Sequence, residues 1–102
     1  MRMNQFIIFF LLFTAIQLNA QNKVYIAYIE GEIDLGLAPY VSRVVSDAEK
    51  DNADAIIFKI NTFGGRVDAA TQIKDAIINT DILTIAFINN RAVSAGALIS
   101  LS

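Results

Sequence analysis

Asp54–Arg66 reads DAIIFKINTFGGR, and the fold turns on how it is divided. Asp54–Asn61 is an almost unbroken apolar run, too short for an independent helix and rich in Ile and Phe, so it reads as a strand buried on both faces. TFGGR stops that run. Beyond it, Val67, Ala70, Ile73 and Ile77 recur at helical spacing, with Asp68, Thr71, Lys74 and Asp75 on the opposite side. A strand that feeds through a glycine turn into an amphipathic helix is the repeating step of a parallel sheet, whose neighbouring strands need a crossover.

The same step recurs on either side. Upstream, Lys23–Glu30, KVYIAYIE, is rich in Val, Ile and Tyr and reads as a strand. Gly31–Gly36 forms an acidic connection. Leu37, Val41, Val44, Val45 and Ala48 then mark a helix to about Lys50, with Pro39 in a first turn where its missing N–H costs nothing. Asp51-Asn52 turns the chain. Downstream, Asn79-Thr80-Asp81 breaks the second helix, Ile82–Asn89, ILTIAFIN, is a third strand, and Ala95 opens a third helix. The order βαβαβα with apolar strands predicts an α/β fold, a parallel sheet covered on both faces and right-handed crossovers. About 80 residues make a marginal core. The third helix has barely begun at Ser102, so the domain is expected to be incomplete at its C-terminal end.

Residues 1–20 stand apart. Arg2 precedes an apolar run at Phe6–Ile16, interrupted by Thr14, and Leu18-Asn19-Ala20 resembles a cleavage site, the order of a secretory signal peptide. The run falls short of the about 20 residues a membrane helix needs. Cleaved, or kept as an anchor because Leu18 is large for its position, the segment directs residues 21–102 out of the cytoplasm. Within 1–20 only Arg2 is charged, which leaves seven basic and ten acidic side chains beyond it. No basic stripe suggests nucleic acid. With neither cysteine nor histidine in the sequence, disulfides and a Ser-His-Asp triad are excluded and zinc is not expected. Glu30, Glu32 and Asp34 read as a solvated acidic loop rather than a metal site, and no cofactor is expected.

Ligands of open parallel sheets gather at the carboxyl ends of the strands. Two turns belong there, NTFGGR at 61–66 and NNRAVSAG at 89–96. Gly64 and Gly65 are expected to open a helix, with N–H groups that lack intrahelical partners. Ser94 stands at the start of the next helix, either as its N-cap or as a nucleophile. The backbone N–H groups of Gly65 and Ala95 could then hold the oxyanion of an acyl transfer. The nucleophile elbow G-x-S-x-G is half present, since Ala92 stands where its first glycine would be. Arg66 and Arg91 flank the turns and read as surface charges or as ion-pair partners of acids such as Asp68.

INTFGGRVDAA, followed some thirty residues later by RAVSAGALIS, resembles the ClpP-class membrane-bound serine proteases of the NfeD family, which share the ClpP/crotonase-like superfold. The resemblance extends over Val24–Ser102. It implies that Ser94 is the nucleophile, that Gly65 and Ala95 are the oxyanion donors, and that Gly64 and Gly96 are supporting small residues that permit close approach. Phe63 departs from the family, which usually has proline there. The family's Ser-Lys chemistry explains why histidine is dispensable, because a desolvated lysine can take the serine proton. That lysine lies well downstream of the serine and is expected beyond Ser102. Lys23, Lys50 and Lys74 are placed as solvated side chains, and Lys59, two residues before the end of its strand, is also expected at an edge or surface.

The resemblance further implies an exported, membrane-associated endopeptidase facing the periplasmic or extracytoplasmic side. It implies later membrane segments, a protein or peptide substrate such as a stomatin-like membrane protein, and a homo-oligomer. Two other classes compete: a non-catalytic assembly module of the same fold, and a crotonase-like acyl-CoA enzyme, which an export signal disfavours. A nucleotide binder is set aside, since there is no G-x-G-x-x-G or P-loop and the first strand ends in the acidic EGEID.

Overall fold

Three strands alternate with three helices in the computed structural model, which describes residues 22–102. The expected export signal at 1–20 lies outside the described residues. In chain order the elements are β1 (Val24–Ile33), α1 (Leu37–Lys50), β2 (Ala55–Gly65), α2 (Val67–Ile78), β3 (Leu83–Ala92) and α3 (Ala95–Ser100). The sheet is parallel throughout, in the order β1-β2-β3. This is the α/β order expected.

Spatial order follows chain order, so both crossovers step in the same direction. Two right-handed crossovers taken the same way leave their helices on one face of the sheet. Ala27 and Ile29 of β1 and Ile56, Phe58 and Ile60 of β2 are buried there against Val41 and Val45 of α1 and Ile73 and Ile77 of α2. The alternate residues tell the opposite story. Val24, Ile26 and Tyr28 on β1 and Leu83, Ile85 and Phe87 on β3 are all exposed. Among the described residues the helices therefore cover one face, not two. An apolar strand records that both of its faces are apolar; it does not record which elements lie over them.

Below the site the sheet is regular. Val24 through Glu30 runs in register with Ala55 through Asn61, and Ala55 through Ile60 with Leu83 through Ile88. The amino ends are tied together: the Lys23 N–H donates to Asp54 Oδ2 at 2.9 Å and the Asp54 N–H to the Lys23 carbonyl at 2.8 Å. The Tyr25 hydroxyl donates to the Asp51 carboxylate, which raises the Tyr25 pKa above its usual value. Asp34 serves the start of α1, where its Oδ1 accepts the N–H groups of Gly36 at 3.0 Å and Leu37 at 3.1 Å. No helix among the described residues is long and apolar enough to cross a membrane.

All three strands run further than their composition suggests. Each continues past an irregularity near its carboxyl end. Between the pairs Glu30–Asn61 and Glu32–Gly64, β1 advances two residues and β2 three. Between Ile60–Ile88 and Thr62–Ala92, β2 advances two and β3 four. Such bulges bend a strand and re-aim its side chains.

Candidate active site

Beyond the bulges, the ends of β2 and β3 come together. Gly64 and Gly65 belong to β2, Arg66 is the N-cap of α2, and the helix begins at Val67. The glycines therefore end a strand rather than open a helix, and the N-terminal dipole of α2 is centred past them. The ladder holds them out because β1 also extends, to Ile33, which pairs with Gly65.

The two glycines meet different surfaces. The Arg66 N–H donates to the Ile33 carbonyl at 2.8 Å. Successive N–H groups of an extended chain point to opposite edges, so the Gly65 N–H faces away from β1. A Cβ on Gly65 would lie 2.3 Å from the Ile33 carbonyl oxygen. Gly64, at φ +115°, packs against the other turn. A Cβ there would lie 3.0 Å from Ser94 Cβ, 3.1 Å from the Val93 carbonyl oxygen and 3.4 Å from the Ala95 nitrogen. The main chain of one turn is thus laid directly on the serine of the other.

Ser94 occupies the N-cap position of α3 without acting as a cap. Its side chain makes no capping hydrogen bond, and its backbone sits at φ 57°, ψ −119°. A non-glycine residue in such a region costs about 1–3 kcal/mol and persists only where its surroundings impose it. Here they do. The Gly96 N–H donates to the Val93 carbonyl at 3.0 Å, and the Ala97 and Leu98 N–H groups donate to the Ser94 carbonyl. The Ala95 N–H finds no partner among the described residues. Ser94 itself is exposed, whereas Ala95 and Gly96 behind it are buried. Gly96 is where the helix presses on β2, since a Cβ would come within 2.5 Å of Thr62 Cγ2.

Sequence reasoning passed over Thr62. It is 2% exposed and is the buried polar residue of the described core. Its hydroxyl donates to the Gly31 carbonyl at 2.5 Å and accepts the Gly64 N–H at 3.0 Å. Its own carbonyl accepts the Val93 N–H at 3.1 Å. Threonine is a common strand former, so its type carried no signal. Its place inside NTFGGR, between an apolar run and two glycines, was the available clue.

The charged residues are arranged around this junction. Arg66 forms a two-pronged pair with Asp68, 3.0 Å from Nε to Oδ1 and 2.7 Å from Nη2 to Oδ2, on the exposed surface. That hydrogen-bonded pairing raises the Arg66 pKa and lowers that of Asp68. The Arg91 guanidinium stacks 4.1 Å from the centre of the Phe63 ring, which is 71% exposed. Phe63 stands beside an open groove with Gly31, Glu32, Gly64 and Gly65. Lys59 lies over the Tyr28 ring, 5.4 Å from its centre, at the register position that pairs with Phe87. That register belongs to the uncovered sheet face, so Lys59 is engaged away from Ser94. No side chain among the described residues hydrogen-bonds the Ser94 hydroxyl.

The chain is similar to proteins of known family. Residues 23–102 match the family described as NfeD1b, N-terminal domain. The membrane protein NfeD1b of Bacillus subtilis (strain 168) is 42% identical over 97 residues, 92% of this chain and 22% of that protein. The membrane-bound protease PH1510 of Pyrococcus horikoshii is 38% identical over 94 residues, 89% of this chain and 21% of that protein. The chain thus spans about a fifth of the length of these curated relatives. Among solved structures, the 1510-N membrane protease specific for a stomatin homolog from Pyrococcus horikoshii superposes with a TM-score of 0.73 at 39% identity, over 80% of this chain and 43% of that one. A serine-to-alanine and a lysine-to-alanine variant of the 1510-N protease match equally well, the latter in complex with a substrate peptide. ClpP1 from Listeria monocytogenes matches with a TM-score of 0.70 at 32% identity, over 72% of this chain and 44% of that one.

Proposed function

The chain belongs to the NfeD1b N-terminal domain family, and from that premise we propose that it forms the front of an exported, membrane-associated serine endopeptidase with Ser94 as nucleophile. The observation that carries this reading is the state of Ser94: held at positive φ, uncapped, exposed and packed on the main chain of Gly64. A serine that served only as a helix cap would spend its hydroxyl on the helix and need no strained backbone.

In this reading Ser94 Oγ attacks the carbonyl carbon of the scissile peptide bond, and its proton passes to a lysine. The carbonyl oxygen becomes an oxyanion between the N–H groups of Gly65 and Ala95. Both donors fit the role, one directed away from β1 and the other without a partner among the described residues. Collapse of the tetrahedral species expels the amine, which takes the proton from the lysine, and water then hydrolyses the Ser94 ester. The base comes from sequence that follows the matched region in the relatives. The lysine-to-alanine variant of the 1510-N protease, studied with a substrate peptide, is consistent with that assignment. Residues 1–20 act as the export signal and place residues 21–102 on the extracytoplasmic side. The substrate class is a protein or peptide, with a stomatin-like membrane protein as the first candidate, because the 1510-N protease is specific for a stomatin homolog. The enzyme works as a homo-oligomer and needs neither metal nor cofactor.

A serine-reactive fluorophosphonate probe applied to the whole gene product tests the nucleophile. The native protein is expected to be labelled and Ser94→Ala spared. Equal labelling of the two would remove Ser94 from the mechanism.

A further inference from the structure

We propose that Thr62 is a positioning residue of the reaction, one that fixes the oxyanion turn against the nucleophile through its hydroxyl. The inference rests on the reading of Ser94 above and adds to it a residue that touches neither substrate nor reacting atoms.

Four pieces of the site meet at this one residue. The hydroxyl donates to the carbonyl of Gly31, the β1 residue at φ +74° where the first register shift occurs. The same oxygen accepts the N–H of Gly64, the residue laid on Ser94. The backbone carbonyl holds Val93, the residue before Ser94. The methyl group faces Gly96 at the foot of α3. Thr62 thus spans β1, both turns and α3, and its hydroxyl satisfies one donor and one acceptor that the bulges have released from the regular ladder.

Burial decides what this linkage is worth. The Thr62 side chain and Gly64 are both shut off from water, so loss of the hydroxyl strands the buried Gly64 N–H and also removes the tie to the exposed Gly31 carbonyl. A strand end without that tie is free to shift by a fraction of an ångström. The oxyanion hole is where such a shift matters, because a misplacement of about 1 Å can cost about 100-fold in rate. The methyl has a separate duty, which is to set the distance between β2 and α3. Hydroxyl and methyl are therefore separable by substitution.

The test is fluorophosphonate labelling of Thr62→Val and Thr62→Ser in the whole gene product, beside the native protein and Ser94→Ala, at a temperature where circular dichroism shows each folded. Thr62→Val keeps the shape and is expected to lower the maximal labelling rate about 10- to 100-fold, with the half-saturating probe concentration unchanged. Thr62→Ser keeps the hydroxyl and is expected to stay within about threefold of native, a rescue that loss of packing alone would not give. Should Thr62→Val not fold, Thr62→Ala replaces it, and the Ser-to-Ala difference isolates the hydroxyl. A native-like rate in the variant lacking the hydroxyl overturns the role of Thr62 and leaves that of Ser94 standing. Failure of the native protein to label above Ser94→Ala overturns both, and that arm tells the two failures apart.

Discussion

Each strand of this sheet has two parts with different duties, and the division falls at the bulges. Below them, Val24–Glu30, Ala55–Ile60 and Leu83–Ile88 run in unbroken register, and their helix-facing residues Ala27, Ile29, Ile56, Phe58 and Ile60 are buried. Above them the backbone leaves regular geometry: Gly31, Gly64 and Ser94 all have positive φ, and Thr62 stitches the ends together. The lower half supplies burial that holds the fold. The upper half uses that stability to keep a serine in a conformation it would not choose. Cohesion and the proposed reactivity thus occupy successive lengths of the same strands.

That division can be broken from either side. The largest effect is expected in the lower half. Phe58→Ala empties the largest fully buried side chain of the core and should cost about 3–5 kcal/mol, measured as a lower urea midpoint. The labelling rate of the fraction still folded should stay near native; a specific fall in that rate would show that the halves are not separable. Next comes Gly64→Ala in the upper half. Its methyl would press on Ser94 Cβ at a φ that side chains rarely adopt, so labelling should slow about 10- to 100-fold. The accompanying loss of stability, about 1–3 kcal/mol from backbone strain, should be the smaller of the two. Smallest is the surface pair beside the site. Arg66 holds Asp68 below its ordinary range, so the stabilisation from this carboxylate is complete above the unfolded-state value near about 3.9 and fades as pH falls through the lowered folded value. Because the pair is exposed, Asp68→Asn should move the Tm at pH 7 by less than about 2 °C, and by less still at pH 2, with labelling unchanged. A slower labelling rate in Asp68→Asn would bring Arg66 into the site.

The two parts were not equally legible in the sequence. The lower half announces itself through local pattern: apolar runs over Lys23–Glu30, Asp54–Asn61 and Ile82–Asn89, separated by helical periodicity, gave the element order and the parallel sheet. The upper half does not, because a bulge arises from how two strands pair, which neither strand records alone. Thr62–Gly65 and Asn90–Ala92 have the composition of turns, yet they prolong β2 and β3. The same limit explains the uncovered face: Ile26, Ile85 and Phe87 are apolar, but local sequence does not say what covers them. Of the candidate residues, Ser94, Gly64, Ala95 and Gly96 are brought together around Thr62, and Gly65 follows next in the chain. Lys59 is not among them, since it lies over the Tyr28 ring on the far face.

The contact between Gly64 and Ser94 is made by a hydrogen atom where every other residue type would carry carbon. Such a junction is written in the genome as an omission. The codon of the exposed Phe63 can drift through many side chains and leave its contour intact, whereas one added methyl at position 64 fills it. Variant libraries of this chain should therefore show broad tolerance at Phe63 and Arg91, with sharp intolerance one step away.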